Sequence, residues 1–384
     1  MKIFMFILSF SVALFGVSVI ASALDYNADL SLSAAEQYND NIFLSHTDRV
    51  GDYSTVITPA VAISTTTEKI NAMLNYSPSF TYYNSHSELN SISQQASANG
   101  SVRLSEVATL AIADSFVRTK DALIIRSIVG SGPVTRNQET ITTNTLSGNL
   151  LYKLTEQLSL QPSLTYTMTD NSDSDIANLN NYSGGLLASY LLTGRTTLRA
   201  SAIYTVYDYS IGSDYNGQDY ILGLNHKFTP TITVDIYGGV DMTQIRGQGD
   251  TDTNFIGGLS ATKTLERGSV SIAYTQAVTA AIQNSSPLKS QILLLHYAAP
   301  VTAFLEASLS ASYGHYRAIG LNTGPDQKRT ETVGTAGLSY RLLPWANLTL
   351  SYSYVNSNDK VDKSGSYSNN VIVAGIRLSK QARF

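Results

Sequence analysis

Three features of the sequence predict an all-β protein, a transmembrane antiparallel up-and-down β-barrel of outer-membrane type with about 18 strands. Apolar and polar residues alternate with period two along nearly the whole chain. Short and long connections alternate without a break. The N-terminal segment reads as an export signal.

Composition narrows the class first. Of 384 residues, 43% are hydrophobic and 14% charged, none is cysteine, and 24 are tyrosine against one tryptophan. The charged share is well below the roughly 25% of soluble proteins, and mean hydropathy is near zero. Absent cysteine excludes disulfide scaffolds, thiolate metal sites and a lipid-bearing N-terminal cysteine. The acidic balance, with pI near 5.7, argues against nucleic acid as a partner. The hydrophobic and aromatic content argues against disorder. Past the first 25 or so residues no apolar run reaches the length of a spanning helix.

Residues 1–23 have the order of a secretory signal peptide, leaving 24–384 as one barrel. Lys2 gives the positive start, Ile3 through Ile20 the apolar core, and Ala21-Ser22-Ala23 an A-x-A cleavage site. An uncleaved anchor is the alternative. The lack of cysteine in an exported chain fits a bacterial envelope, where stray thiols are a liability.

The strands follow in order. Leu30–Ala35 and Tyr53–Thr66 open the series, with the polar segment Asn39 to Asp52 as the first outside loop. Ile70, Ala72, Leu74, Tyr76, Pro78, Phe80 and Tyr82 alternate with polar neighbours. So do Leu158, Leu160, Leu164, Tyr166 and Met168, and later Leu348, Leu350, Tyr352 and Tyr354. A helix would place apolar residues at i, i+3, i+4 and i+7, which these stretches do not. Tight turns are expected at Thr67-Glu68, Ser105-Glu106, Thr155-Glu156, Gly194-Arg195, Pro230-Thr231, Arg267-Gly268, Ala299-Pro300 and Pro344-Trp345. Longer polar connections fall between them, as in barrels with short periplasmic turns and longer outside loops. An even count puts both termini on the periplasmic side, and about 16 strands is the alternative count. Pro287–Ala298 is the least regular strand, because Ile292 to Leu295 is apolar on both faces. The chain ends on Phe384, preceded by alternating Ile372, Ala374, Ile376 and Leu378, with Lys380 breaking the pattern. Such an aromatic end resembles the signal read by the bacterial barrel-assembly machinery.

Parity assigns the faces. Leu, Ile, Val, Ala and tyrosines such as Tyr76, Tyr166, Tyr190 and Tyr340 turn to lipid, and lipopolysaccharide meets the outer rim. The opposite parity carries Arg103, Lys153, Arg199, Lys227, Asp235, Asp241, Glu306, Glu331, Arg341 and Arg377, with the aromatics Tyr83, Tyr207, Tyr209 and Tyr237. Both signs occur, so no strong cation or anion filter is expected. Among them lie many hydroxyls, including Ser159, Ser163, Thr165, Thr205 and Ser310. A barrel of about 18 strands leaves an aqueous channel rather than a side-chain-filled interior, so a conduit is expected.

Enzymatic and cofactor chemistry is not expected. His46, His86, His226, His296 and His315 have no metal-ligand spacing and none stands in a nucleophile motif. A Ser, His and acid meeting on the outer wall would be the exception. Asp170-Asn171-Ser172-Asp173-Ser174-Asp175 has alternating oxygens, but it lacks the glycine and terminal glutamate of a calcium loop. It reads as a solvated loop, and no metal site is assigned. The connection Lys120 to Arg136 holds Leu123, Ile124, Ile125, Ile128 and Val129 before Gly130-Ser131-Gly132-Pro133. So many aliphatics are unusual on a solvated loop. They either fold into the lumen as a constriction, cap the mouth or contact the membrane.

Tyr38-Asn39-Asp40-Asn41-Ile42, followed by Ile57-Thr58-Pro59, resembles the start of the β-barrel porin type 2 family of Gram-negative bacteria. The resemblance implies an outer-membrane pore associated with exopolysaccharide secretion. It implies a periplasmic polysaccharide-export protein as partner and a capsular or extracellular polysaccharide as cargo. A general or substrate-selective porin for small solutes is the alternative, and an adhesive barrel acting through its loops is a third. On the residues alone, Asp40-Asn41 is also a plain turn-forming pair.

Overall fold

The computed structural model describes residues 26–120, 140–172, 176–247, 249–281, 286–319, 328–360 and 363–383. The expected signal peptide, the aliphatics Leu123 to Val129 and Phe384 lie outside them.

Among the described residues the chain forms one closed antiparallel sheet of 18 strands. They are β1 Tyr26–Asn39, β2 Asp52–Thr66, β3 Ile70–Tyr83, β4 Ser91–Arg103, β5 Ala108–Thr119 and β6 Ile141–Lys153. β7 Leu158–Asn171, β8 Leu179–Thr193, β9 Thr196–Tyr209, β10 Tyr215–Thr229, β11 Ile232–Ile245 and β12 Thr251–Thr264 follow. The wall is completed by β13 Ser269–Ala281, β14 Ser286–Pro300, β15 Leu305–Ala318, β16 Lys328–Leu343, β17 Ala346–Asp359 and β18 Tyr367–Arg383. Each strand pairs with its sequence neighbours, and β1 pairs with β18 from Asn27↔Arg383 to Asn39↔Val371. Closure leaves no free edge along that seam, which a bilayer demands of a spanning sheet.

The alternation now has a structural cause. Leu164 is 72% exposed and Leu222 70%, and exposed apolar residues recur at every second position on most strands. That face is the exterior. An exposed leucine belt has no place on a water-soluble barrel, and lipid is the solvent that suits it.

Periplasmic turns share one device. The hydroxyls of Thr67, Thr155, Thr229 and Thr302 accept a hydrogen bond from the backbone N–H three residues on, at 2.9, 2.9, 3.0 and 3.0 Å. This local bond fixes the chain reversal without a longer loop. It also explains the one displaced turn. Strand β14 runs through Pro300, and the reversal occurs over Val301–Phe304, where Thr302 sits, rather than at Ala299-Pro300. At Gly268, φ is +103° and a Cβ would lie 2.2 Å from the Ala298 carbonyl oxygen. Gly268→Ala should therefore cost about 1–3 kcal/mol, read as a lower urea midpoint of the folded barrel.

Candidate functional site

The inward face is sorted by height. Near the periplasmic strand ends stand Arg103, Lys153, Arg199, Lys227, Arg341 and Arg377, with Asp235 and Glu306 among them. Toward the outer ends the same face carries Asp52, Asp219, Asp241, Glu331 and Asp359, with Arg329. Both signs occur on this parity. Their segregation along the axis requires strand ends and register, so it was not foreseen.

Two clusters have defined geometry. In the lower one, Arg199 on β9 reaches across β10 to form an ion pair with Asp235 on β11. Asn225 Nδ2 donates to the same carboxylate at 3.1 Å. Gly223 lies in register between Arg199 and Tyr237, and a Cβ there would stand 3.6 Å from the Arg199 guanidinium. Tyr237 lies over Gly258, where a Cβ would come within 2.5 Å of the ring.

In the upper cluster, Asp219 and Asp241 face each other directly across β10 and β11. Asp241 is buried and accepts a 2.7 Å bond from the Thr243 hydroxyl. Beside them Tyr207 stacks on Tyr215 at 4.3 Å, and Tyr215 on Tyr209 at 6.0 Å. Tyr209 and Tyr215 pack with Ala177, Leu179 and Ile245, and Ala280 of β13 rests against this group. The outer end of the β13–β14 hairpin thus meets the tyrosine sector. Arg246 at the rim pairs with Asp208 at 3.4 Å and Asp214 at 3.1 Å.

Arg329 is buried, donates to the Ser357 hydroxyl at 2.5 Å and lies 5.6 Å from the Tyr367 ring centre. Asp52 anchors the β3–β4 connection. Its carboxylate accepts from the Tyr53, Ser85 and His86 backbone N–H groups and lies 2.9 Å from His86 Nδ1. Among the described residues no serine hydroxyl is hydrogen-bonded to His86. Nor do three His, Cys, Asp or Glu side chains converge anywhere among them as a metal site.

The Tyr38–Ile42 motif proves to be part of the barrel closure. The Asp40 carboxylate accepts from Asn370 N and Nδ2 at 2.6 and 2.7 Å. Asn369 Nδ2 donates to Asn39 Oδ1 and to the Asn41 carbonyl at 2.7 and 2.9 Å. Asn41 is fully buried and donates through Nδ2 to the carbonyls of Ser45 and Ser368. Its Oδ1 accepts from Ser45 N, so it also holds the loop in which Leu44 has φ of +50°. The motif fastens the outer end of β1 to β18. Sequence reasoning saw only a turn here, because the partners lie 327 to 330 residues away.

The closed 18-strand wall with an apolar exterior defines the class: the chain is a bacterial outer-membrane β-barrel. Among solved structures it is similar to OpdK of Pseudomonas aeruginosa crystallised with vanillate. The TM-score is 0.51 and the identity 13%, over 92% of this chain and 99% of that one. An improved structure of the same protein, OccK1 (OpdK), gives a TM-score of 0.52 at 13% identity over the same shares. At that identity the likeness is one of fold. No protein-family model matches the chain, and no curated protein matches it in sequence. The resemblance to the porin type 2 family therefore holds for the barrel architecture and does not extend to a family assignment.

Proposed function

We propose that the protein is a passive, substrate-selective porin for small polar solutes. The observation that carries this reading is the upper cluster, where half-buried Tyr207 and Asp219 stand on the lumen face, backed by the buried Tyr215 and Asp241. An aromatic face with adjacent acceptors suits a hydroxylated ring or a solute with a cationic or hydrogen-bond-donating end. Packing of the β13–β14 end against this sector supports passage of small molecules in preference to a polymer. Polysaccharide export rested on the family resemblance, and it takes second place to this reading.

Liposome swelling with sugars of increasing size tests the proposal. The parent should admit monosaccharides, with rates falling steeply for tri- and tetrasaccharides. Tyr207→Ala should raise the rate for disaccharides several-fold. Absence of swelling with every sugar would overturn the channel reading. Equal rates for all sizes would overturn selectivity.

A further inference from the structure

Among the described residues one ladder of the wall stops well short of its outer strand ends. Strands β12 and β13 share a ladder from Thr264↔Ser269 only as far as Gly257↔Gln276. Outward of that point β12 continues from Ile256 to Thr251 paired with β11, and β13 continues from Ala277 to Ala281 paired with β14. Among the described residues no backbone pair joins these two segments to each other.

Four further observations give the gap a form. Gln276 stands where the ladder ends, and its Nε2 donates to the Phe255 carbonyl at 2.6 Å. A side chain thus takes the place of the next strand partner. Gly238, Gly239, Gly257 and Gly258 adjoin in register at the fork, a concentration that lets strands bend apart. Ala280 has the parity of the outward residues Ile272 and Tyr274, yet it packs on the lumen cluster of Tyr209, Tyr215 and Ile245. The upper part of β13 has therefore turned inward, away from β12. Asn254 on the β12 edge keeps a buried Nδ2 with no hydrogen-bond partner.

The lumen beside the fork is apolar in a wall that is otherwise hydroxylated. Leu294, in register with Ala273 and Ser312, faces inward and is 42% exposed. Above it, Ile292 packs on Leu288 and Tyr316 of the same face. Ile256 on β12 is buried at the edge of the gap. Ile292 and Leu294 are the inward members of the β14 run that is apolar on both faces.

A strand edge that lacks its strand partner is costly against hydrocarbon, so one beside an outward apolar residue such as Phe255 belongs next to a water-filled path. We infer that the β12–β13 fork is a lateral portal. It passes amphipathic solutes, with a polar head and a short alkyl or aryl tail, between the lumen and the outer leaflet. The tail follows Leu294 and Ile292, and the head keeps to the polar lumen until it clears the fork at Gln276. The inference builds on the channel reading, and its test separates the two.

The chain has no cysteine, so introduced pairs are unambiguous. Continuing the Gly257↔Gln276 register would set Phe255 opposite Val278. The F255C/V278C barrel should be closed with a bis-maleimide of about 10 Å reach, each cysteine thiol adding across one maleimide double bond, in Gram-negative cells taking up a dye-labelled ten-carbon alkyl sulfate. Monosaccharide uptake is measured in parallel. Cross-linking should reduce alkyl sulfate uptake at least five-fold and leave monosaccharide uptake unchanged. Leu294→Asp, which needs no cross-link, should act in the same direction. Unchanged alkyl sulfate uptake in both variants would overturn the portal while leaving the channel intact. So would quantitative formation of a direct 255–278 disulfide without reagent, because the strands would then be paired in the membrane. Recovery of the barrel with a foreign peptide strand seated on the β12 edge would also overturn it. Absence of monosaccharide uptake in the parent would fail the channel reading itself.

Discussion

Asn369→Ala should lower the urea midpoint of the barrel by more than any other single polar substitution on its inner face. Asn369 Nδ2 serves two acceptors at once, Asn39 Oδ1 and the Asn41 carbonyl, and all three residues are buried. Truncation removes both bonds at the one seam that joins the two ends of the sheet, leaving Asn39 Oδ1 with the Asn41 N–H at 2.8 Å and the Asn41 carbonyl with the Leu44 N–H at 3.1 Å. A net hydrogen bond contributes about 0.5–1.5 kcal/mol, so losing two should cost about 1–3 kcal/mol. Asn41→Ala should cost a similar amount, because it removes the bonds to Ser45 and Ser368 together. The double variant should cost less than the sum, since Asn39, Asn41 and Asn369 form one network. Equilibrium unfolding in urea checks this. A midpoint equal to that of Asn358→Ala, on the exposed outer end of β17, would show that the clasp contributes nothing.

Reversing the basic layer should change ion preference most. Arg103, Lys153, Arg341 and Arg377 are exposed on the inner face near the periplasmic strand ends, so Glu at all four positions disturbs no packed core. Asp219, Asp241 and Glu331 already make the outer half acidic. The variant lumen would be acidic along its whole length, and fixed charges of one sign select the opposite ion. In a tenfold salt gradient the reversal potential should move strongly toward that of the cation. The shift should be greatest at low ionic strength, because the Debye length grows to about 30 Å at 0.01 M. An unchanged reversal potential would mean that these side chains do not border the conducting path.

Much of this architecture was legible in the sequence, for local reasons. Period-two alternation depends only on neighbours, so strands such as Leu158–Asn171 and Ala346–Asp359 announced themselves. The Thr67 and Thr155 turns are equally local, and the same signal at Thr302 would have placed the one reversal that was displaced. What escaped depends on register or on distance along the chain. Asp219 and Asp241 become a pair only when β10 and β11 are aligned. Arg199 meets Asp235 by reaching across β10, from two strands away. The role of Asp40 and Asn41 depends on residues at the far end of the chain. The fork at Gln276 reflects where two neighbouring ladders part, and no single strand records it. Even there the sequence left a trace, in the two-faced apolar run from Ile292 to Leu295.

The central claim is an open, water-filled lumen that is acidic toward the outside and basic toward the periplasm. A single barrel in a planar bilayer at low salt tests it directly, with orientation fixed by labelling a cysteine introduced into an outer loop. Outside-positive voltage drives cations into the acidic half and anions into the basic half, so both carriers accumulate where the halves meet. The account predicts a conducting channel whose current is larger at outside-positive than at outside-negative voltage. A barrel that carries no current at either polarity, or one with a symmetric current–voltage curve at low salt, would contradict it.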